Sequence, residues 1–130
     1  MKKFLTVCLT LLLMCCYATA KAEKHVYKGK VGPYPVTVTL NFGDETDEDG
    51  FSVVTGSYTY DKAGNTLFLR GNYNYVCRCP WMNLKEYTKS GKMSAEWSLD
   101  FTGFPPKTLS GSMTVSHNGK EYNVSLRKVR

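Results

Sequence analysis

Cys77 and Cys79 are the residues in this chain whose type and spacing come nearest to chemistry. They lie in Val76-Cys77-Arg78-Cys79-Pro80-Trp81. Two cysteines separated by one residue point the same way in an extended chain. In an oxidising compartment they can close a small disulfide ring that stiffens the loop. Such a ring is geometrically demanding, and strain would make it reducible. The spacing leaves three readings open: a structural bond, unbonded or intermolecular thiols, and redox or metal work. A zinc site would need further ligands. Tyr73, Tyr75 and Trp81 surround this loop, interleaved with Asn72 and Asn74. If exposed, these rings form a platform for a glycan or a peptide; if not, they cover the end of the fold. The disulfide candidates are therefore Cys77 and Cys79, and the candidate ligand-binding residues are Tyr73, Tyr75 and Trp81.

Other constellations read as structure. Glu45, Asp47, Asp49 and Gly50 imitate the start of a calcium loop, but the place of its bidentate Glu falls on Gly56. The stretch reads as a solvated hairpin tip. His25 and His117 are the two histidines, and no serine stands in a recognisable triad setting. Glu86, Glu96 and Asp100 are carboxylates on strand-like segments, and a hydrolytic pair could be assembled from them only by assuming distances. No catalytic residue, metal site or cofactor is expected. No run of Lys or Arg is long enough for a nucleic-acid footprint.

The segments that must position these residues alternate with period two, and none shows helical periodicity. Strands are expected over His25 to Val31, Pro35 to Phe42, Phe51 to Tyr60, Thr66 to about Tyr75, Met82 to Tyr87 and Met93 to Phe101, followed by a final hairpin. On the sixth, Met93, Ala95, Trp97, Leu99 and Phe101 should face in, and Ser94, Glu96, Ser98 and Asp100 out. In the last hairpin, Asn118-Gly119 signals a two-residue type I′ loop. It would set Val115 opposite Tyr122, Met113 opposite Val124 and Gly111 opposite Leu126. Gly56 marks a bulge or a crowded crossing. Eight strands joined mostly by short connections predict a small antiparallel up-and-down barrel, with a two-sheet sandwich as the alternative. Tyr58, Tyr60, Trp97, Phe101, Met113 and Tyr122 would fill most of its lumen.

Met1-Lys2-Lys3, the apolar run Phe4 to Tyr17 and the small residues Ala18, Ala20 and Ala22 have the layout of a secretory signal peptide over residues 1–22. One domain over residues 23–130 is left, with no other segment able to cross a membrane as a helix. Cys15 and Cys16 keep a lipid anchor, and so an envelope lipoprotein, as the alternative to a freely secreted or periplasmic product. Three lysines leave with the signal, so the net charge of +6 falls to +3. Asp44, Glu45, Asp47, Glu48 and Asp49 gather in one loop, and the rest of the surface is mildly positive, which reads first as solubility.

Tyr27-Lys28-Gly29-Lys30-Val31-Gly32, Pro35-Val36, Leu40, Gly56-Ser57-Tyr58-Thr59-Tyr60, Leu67, Leu69, Gly71, Leu84, Glu86 and Gly111 follow in an order that resembles uncharacterised small secreted envelope proteins of Gram-negative gut-type bacteria, for which no activity is known. The resemblance implies an envelope β-domain and no catalytic residue. Cys77 to Trp81 departs from the short turn expected at that point. The function expected is non-enzymatic binding of a protein, glycan or small apolar ligand through loops at one end of the barrel, chiefly Tyr73 to Trp81. Alternatives are an inhibitor of an envelope-directed enzyme and a lipocalin-like carrier of a small apolar molecule.

Overall fold

A computed structural model describes residues 24–76 and 78–130. The expected signal segment with Cys15 and Cys16, and Cys77 of the candidate disulfide, lie outside the described residues.

Eight strands run in chain order: β1 (Lys24–Val31), β2 (Tyr34–Thr46), β3 (Ser52–Tyr60), β4 (Thr66–Asn74), β5 (Trp81–Tyr87), β6 (Met93–Asp100), β7 (Thr108–Val115) and β8 (Glu121–Lys128). Each pairs antiparallel with its sequence neighbours, and β8 pairs back onto β1, so the sheet is a closed up-and-down barrel rather than a sandwich. Alternation decides which side of each strand is buried. Val36, Val38 and Leu40 on β2, Met82 and Leu84 on β5, and Ala95, Trp97 and Leu99 on β6 line the interior. Asn83, Lys85, Glu96 and Ser98 face outward and are exposed. This apolar-in, polar-out pattern is the reverse of a transmembrane barrel. Among the described residues no helix is long and apolar enough to cross a membrane.

The connections sort into two ends. The turns at residues 32–33, 61–65, 88–92 and 116–120 form one, here called the turn end; the connections 47–51, 75–80 and 101–107 form the other, the loop end. The 101–107 connection folds over the loop end. Phe101 and Pro106 are buried, and the Tyr27 hydroxyl donates to the Pro106 carbonyl at 2.7 Å. Phe104 then packs on Phe42 and Tyr73, with ring centroids 5.2 and 5.5 Å away. Asp47 organises the acidic connection. One of its carboxylate oxygens accepts from the amides of Asp49 and Phe51, and the other from the Asn72 side chain. That amide of Asn72, followed by the Phe51 amide, holds the Asp47 carboxyl below its ordinary value.

Two expectations need correction. The last hairpin pairs Met113 with Tyr122, Gly111 with Val124 and Leu109 with Leu126, a register two residues from the expected one. Val115 is therefore not opposite Tyr122: its amide donates to the Lys120 carbonyl, closing a four-residue loop. Gly119 takes the left-handed conformation (φ +68°), whereas Asn118 keeps a negative φ and accepts the Lys120 amide with its side chain. A slip of two leaves every side chain on the same face, so alternation could not distinguish the registers. The second correction lies on β6. Glu86 pairs with Ala95 but Tyr87 pairs with Met93, which leaves Ser94 as the extra residue of a β-bulge. Met93 is exposed rather than buried, and Ser94 turns its hydroxyl inward.

Gly29, Gly56, Gly71 and Gly111 stand where a neighbouring backbone crowds closest; a Cβ at any of them would strike the carbonyl oxygen of the adjacent strand. At Gly71 that oxygen belongs to Asn83, fixed backbone that cannot swing aside. Gly71→Ala should therefore destabilise the barrel by about 3 kcal/mol or more, at or beyond the upper end of ordinary overpacking costs. Gly119→Ala, which meets open space but must hold a positive φ, should cost about 1–2 kcal/mol. Denaturant unfolding of both variants checks the order; equal costs would contradict it.

Candidate functional site

On β5, Glu86 follows Met82 and Leu84 in the inward series, which carries its carboxylate into the apolar lumen at 5% exposure. A buried carboxylate costs several kcal/mol unless donors replace its water. Three donors do so. The Tyr58 hydroxyl and the Trp97 indole N–H (3.1 Å) donate to Oε1, and the Ser94 hydroxyl donates to Oε2 at 2.5 Å. Ser94 reaches the lumen only because the bulge turns it there. Tyr58 and Trp97 also pack edge to face with centroids 5.0 Å apart, so the donors brace one another. Among the described residues every buried side-chain nitrogen and oxygen has a partner.

The network continues toward the turn end. The Tyr60 hydroxyl lies 3.4 Å from that of Tyr58. A phenol has one proton. The Glu86 contact is the shorter and charge-assisted one and takes the proton of Tyr58. The contact of Tyr58 with Tyr60, in which Tyr58 is again placed as the donor, is the longer and weaker of the two. Burial, and next the bond to Glu86, push the Tyr58 phenol far above its usual range, and burial raises Tyr60 as well.

Tyr60 also lines an apolar cavity of about 380 Å³ at the turn end, with Val31, Tyr34, Pro35, Lys62, Ala63, Met113, Val115 and Tyr122. The Tyr34 ring stands at 88° to that of Tyr60 with centroids 6.1 Å apart, and is 53% exposed. The mouth is thus an apolar cleft whose wall connects, through Tyr60 and Tyr58, to a buried carboxylate. Among the described residues no three His, Cys, Asp or Glu side chains gather to hold a metal.

The residues singled out by sequence lie at the other end, where Tyr73 and Tyr75 stack with ring centroids 6.1 Å apart. Tyr73 is buried, stacked on Phe104 at 5.5 Å. Tyr75 is 47% exposed and stacks on Phe104 at 4.3 Å. Trp81 pairs with Asn74 on the outer wall, where it meets Phe51 edge to face at 5.0 Å. Cys79 is exposed on the same loop. Sequence reasoning missed Phe104 as part of this cluster, and the tyrosines of the mouth as a set. It missed the inward carboxylate too, although the Met82, Leu84, Glu86 parity signalled it.

Glu86→Leu should cost about 1–3 kcal/mol for each buried donor left without its acceptor. Glu86→Gln, which keeps an oxygen for Tyr58 and Trp97, should cost less. Denaturant unfolding of the two variants checks this, and equal stability of Glu86→Leu and the parent would contradict it. The phenols give a pH signature. Tyr27, Tyr58, Tyr60 and Tyr73 are all raised by burial. Their contribution to stability is complete below the ordinary tyrosine value near 10 and is lost as pH rises above it, because the unfolded chain then binds fewer protons. Alkaline titration should show tyrosinate absorbance growing in step with loss of β-sheet circular dichroism. Full ionisation with the sheet intact would contradict this.

Comparison with protein-family models, curated proteins and solved structures finds no match to this chain.

Proposed function

We infer that the protein is a secreted or periplasmic, non-enzymatic binding module that takes a small, mainly apolar ligand at the turn-end mouth of its barrel. The alternative address is an envelope lipoprotein anchored at Cys15 or Cys16. The observation that carries the reading is the asymmetry of the two ends. The 101–107 connection closes one, whereas the other keeps an apolar cavity of about 380 Å³, within the range of small-molecule sites. A carrier that swallows its cargo into the lumen is disfavoured, because Trp97, Tyr27 and Tyr58 occupy that space. A ligand would lie in the mouth against Met113, Val115 and the tyrosines.

The stack of Tyr75 on Phe104, both substantially exposed, favours a second reading in which the loop end receives a protein or a glycan. That reading includes the inhibitor alternative. A single titration separates the two. Benzyl alcohol, a small neutral aromatic, should perturb the nuclear magnetic resonance signals of Ala63, Met113 and Val115. Val115→Glu, which places a charge in the cleft, should weaken binding at least about tenfold, or roughly 1.4 kcal/mol. Perturbations confined to Tyr75 and Phe104 would favour the loop end, and none at the mouth would defeat the proposal.

A further inference from the structure

We propose that the turn-end mouth selects an organic ammonium group, seated among the rings of Tyr34, Tyr60 and Tyr122 and answered by the Glu86 carboxylate beneath them. The inference rests on reading the mouth as a ligand site and adds the chemical class of the ligand.

Two observations carry it. The first is the wall. Three tyrosines line one small cavity, and two of them meet at 88° with centroids 6.1 Å apart, forming the corner of an aromatic cage. Ring faces carry negative potential, and a cation within about 6 Å of a ring centroid is attracted to it. The second is the uncancelled charge behind the wall. Every donor to Glu86 is neutral: two hydroxyls and an indole N–H. Hydrogen bonds make the buried anion tolerable, but they leave its field in place. That field crosses apolar surroundings, which screen it weakly. The carboxylate is one tyrosine removed from the mouth, since Tyr58 bridges it to Tyr60.

Lys62 at the rim is the opposing charge. It is exposed, on a flexible stem in water, where its field is screened more than that of buried Glu86. Asp61 beside it is also exposed and accepts the Thr37 hydroxyl at 2.8 Å.

The test compares three molecules of nearly one shape: choline, its uncharged carbon isostere dimethylbutanol, and the anion dimethylbutyrate. Each is titrated into the purified protein and followed by calorimetry and by the resonances of Met113 and Val115. Choline should bind at least tenfold tighter than dimethylbutanol, with dimethylbutyrate weakest. Tyr34→Leu keeps the site apolar but removes one ring, and should bring choline close to its isostere. Glu86→Gln should do the same. Tyr34 is exposed, so its variant keeps the test decisive should the Gln variant fold poorly. Equal or tighter binding of dimethylbutanol or dimethylbutyrate would overturn the ammonium preference and leave the mouth as a ligand site. A preference that survives both substitutions would overturn the cage and carboxylate as its source. Absence of any perturbation at Met113 and Val115 by all three molecules would overturn both readings.

Discussion

An eight-stranded barrel is only just wide enough for its own side chains, and that narrow bore is the constraint on which the rest of this structure depends. Every inward residue must fit a shared lumen, so the inner faces of the strands form one packing problem. Tyr27, Tyr58 and Trp97 are among the largest fully buried side chains, and they occupy the volume that wider barrels leave for cargo. The wall must also turn sharply to close, which is why glycines stand where neighbouring backbones crowd. With the interior filled, inward-facing side chains can meet a ligand only at the two ends. Their difference follows from the connections. A seven-residue crossing folds over the loop end and bonds to Tyr27, whereas the short turns opposite cannot reach across their own mouth.

The same bore makes the buried carboxylate consequential. Placed on a wider or wetter sheet, Glu86 would be one solvated charge among many. Enclosed, it requires donors, and the fold departs from regularity to provide one. The bulge at Ser94 breaks the pairing of β5 with β6 by one residue and brings a hydroxyl to Oε2. Bulges re-aim side chains in this way near sites. The result is a polar chain from Glu86 through Tyr58 to Tyr60, the residue at which interior electrostatics meets the apolar mouth.

The strands were legible in the sequence because one face is dry and the other wet along almost every one of them. Thr37 and Thr39 alternate with Val36, Val38 and Leu40, and that contrast admits one orientation. Closure was legible for a related reason, since short connections leave little besides neighbour pairing. The register of the last hairpin was not. Asn118-Gly119 fits a two-residue loop, yet the pairing of β7 with β6 and of β8 with β1 must be met at the same time, and the hairpin satisfies both with a longer loop. The bulge was invisible because alternation assigns Ser94 outward, and only the spatial demand of Glu86 pulls it in. The placement of the candidate residues was illegible for a comparable reason. Tyr73, Tyr75 and Trp81 are close in sequence, but strand parity sends Trp81 to the outer wall and Tyr73 into the lumen. Tyr34, Tyr60 and Tyr122 are distant in sequence and are brought together by closure alone.

Closure is therefore the claim to test most directly, and amide hydrogen exchange along the seam between β1 and β8 tests it. Tyr27 to Val31 pair with Val124 to Lys128, so neither strand has an open edge. The seam amides of these two strands should be protected to the same degree as those between β4 and β5. Rapid exchange confined to the seam, with the other ladders protected, would mean an open sheet with two edges; the enclosed carboxylate and the mouth above it would then lose their basis.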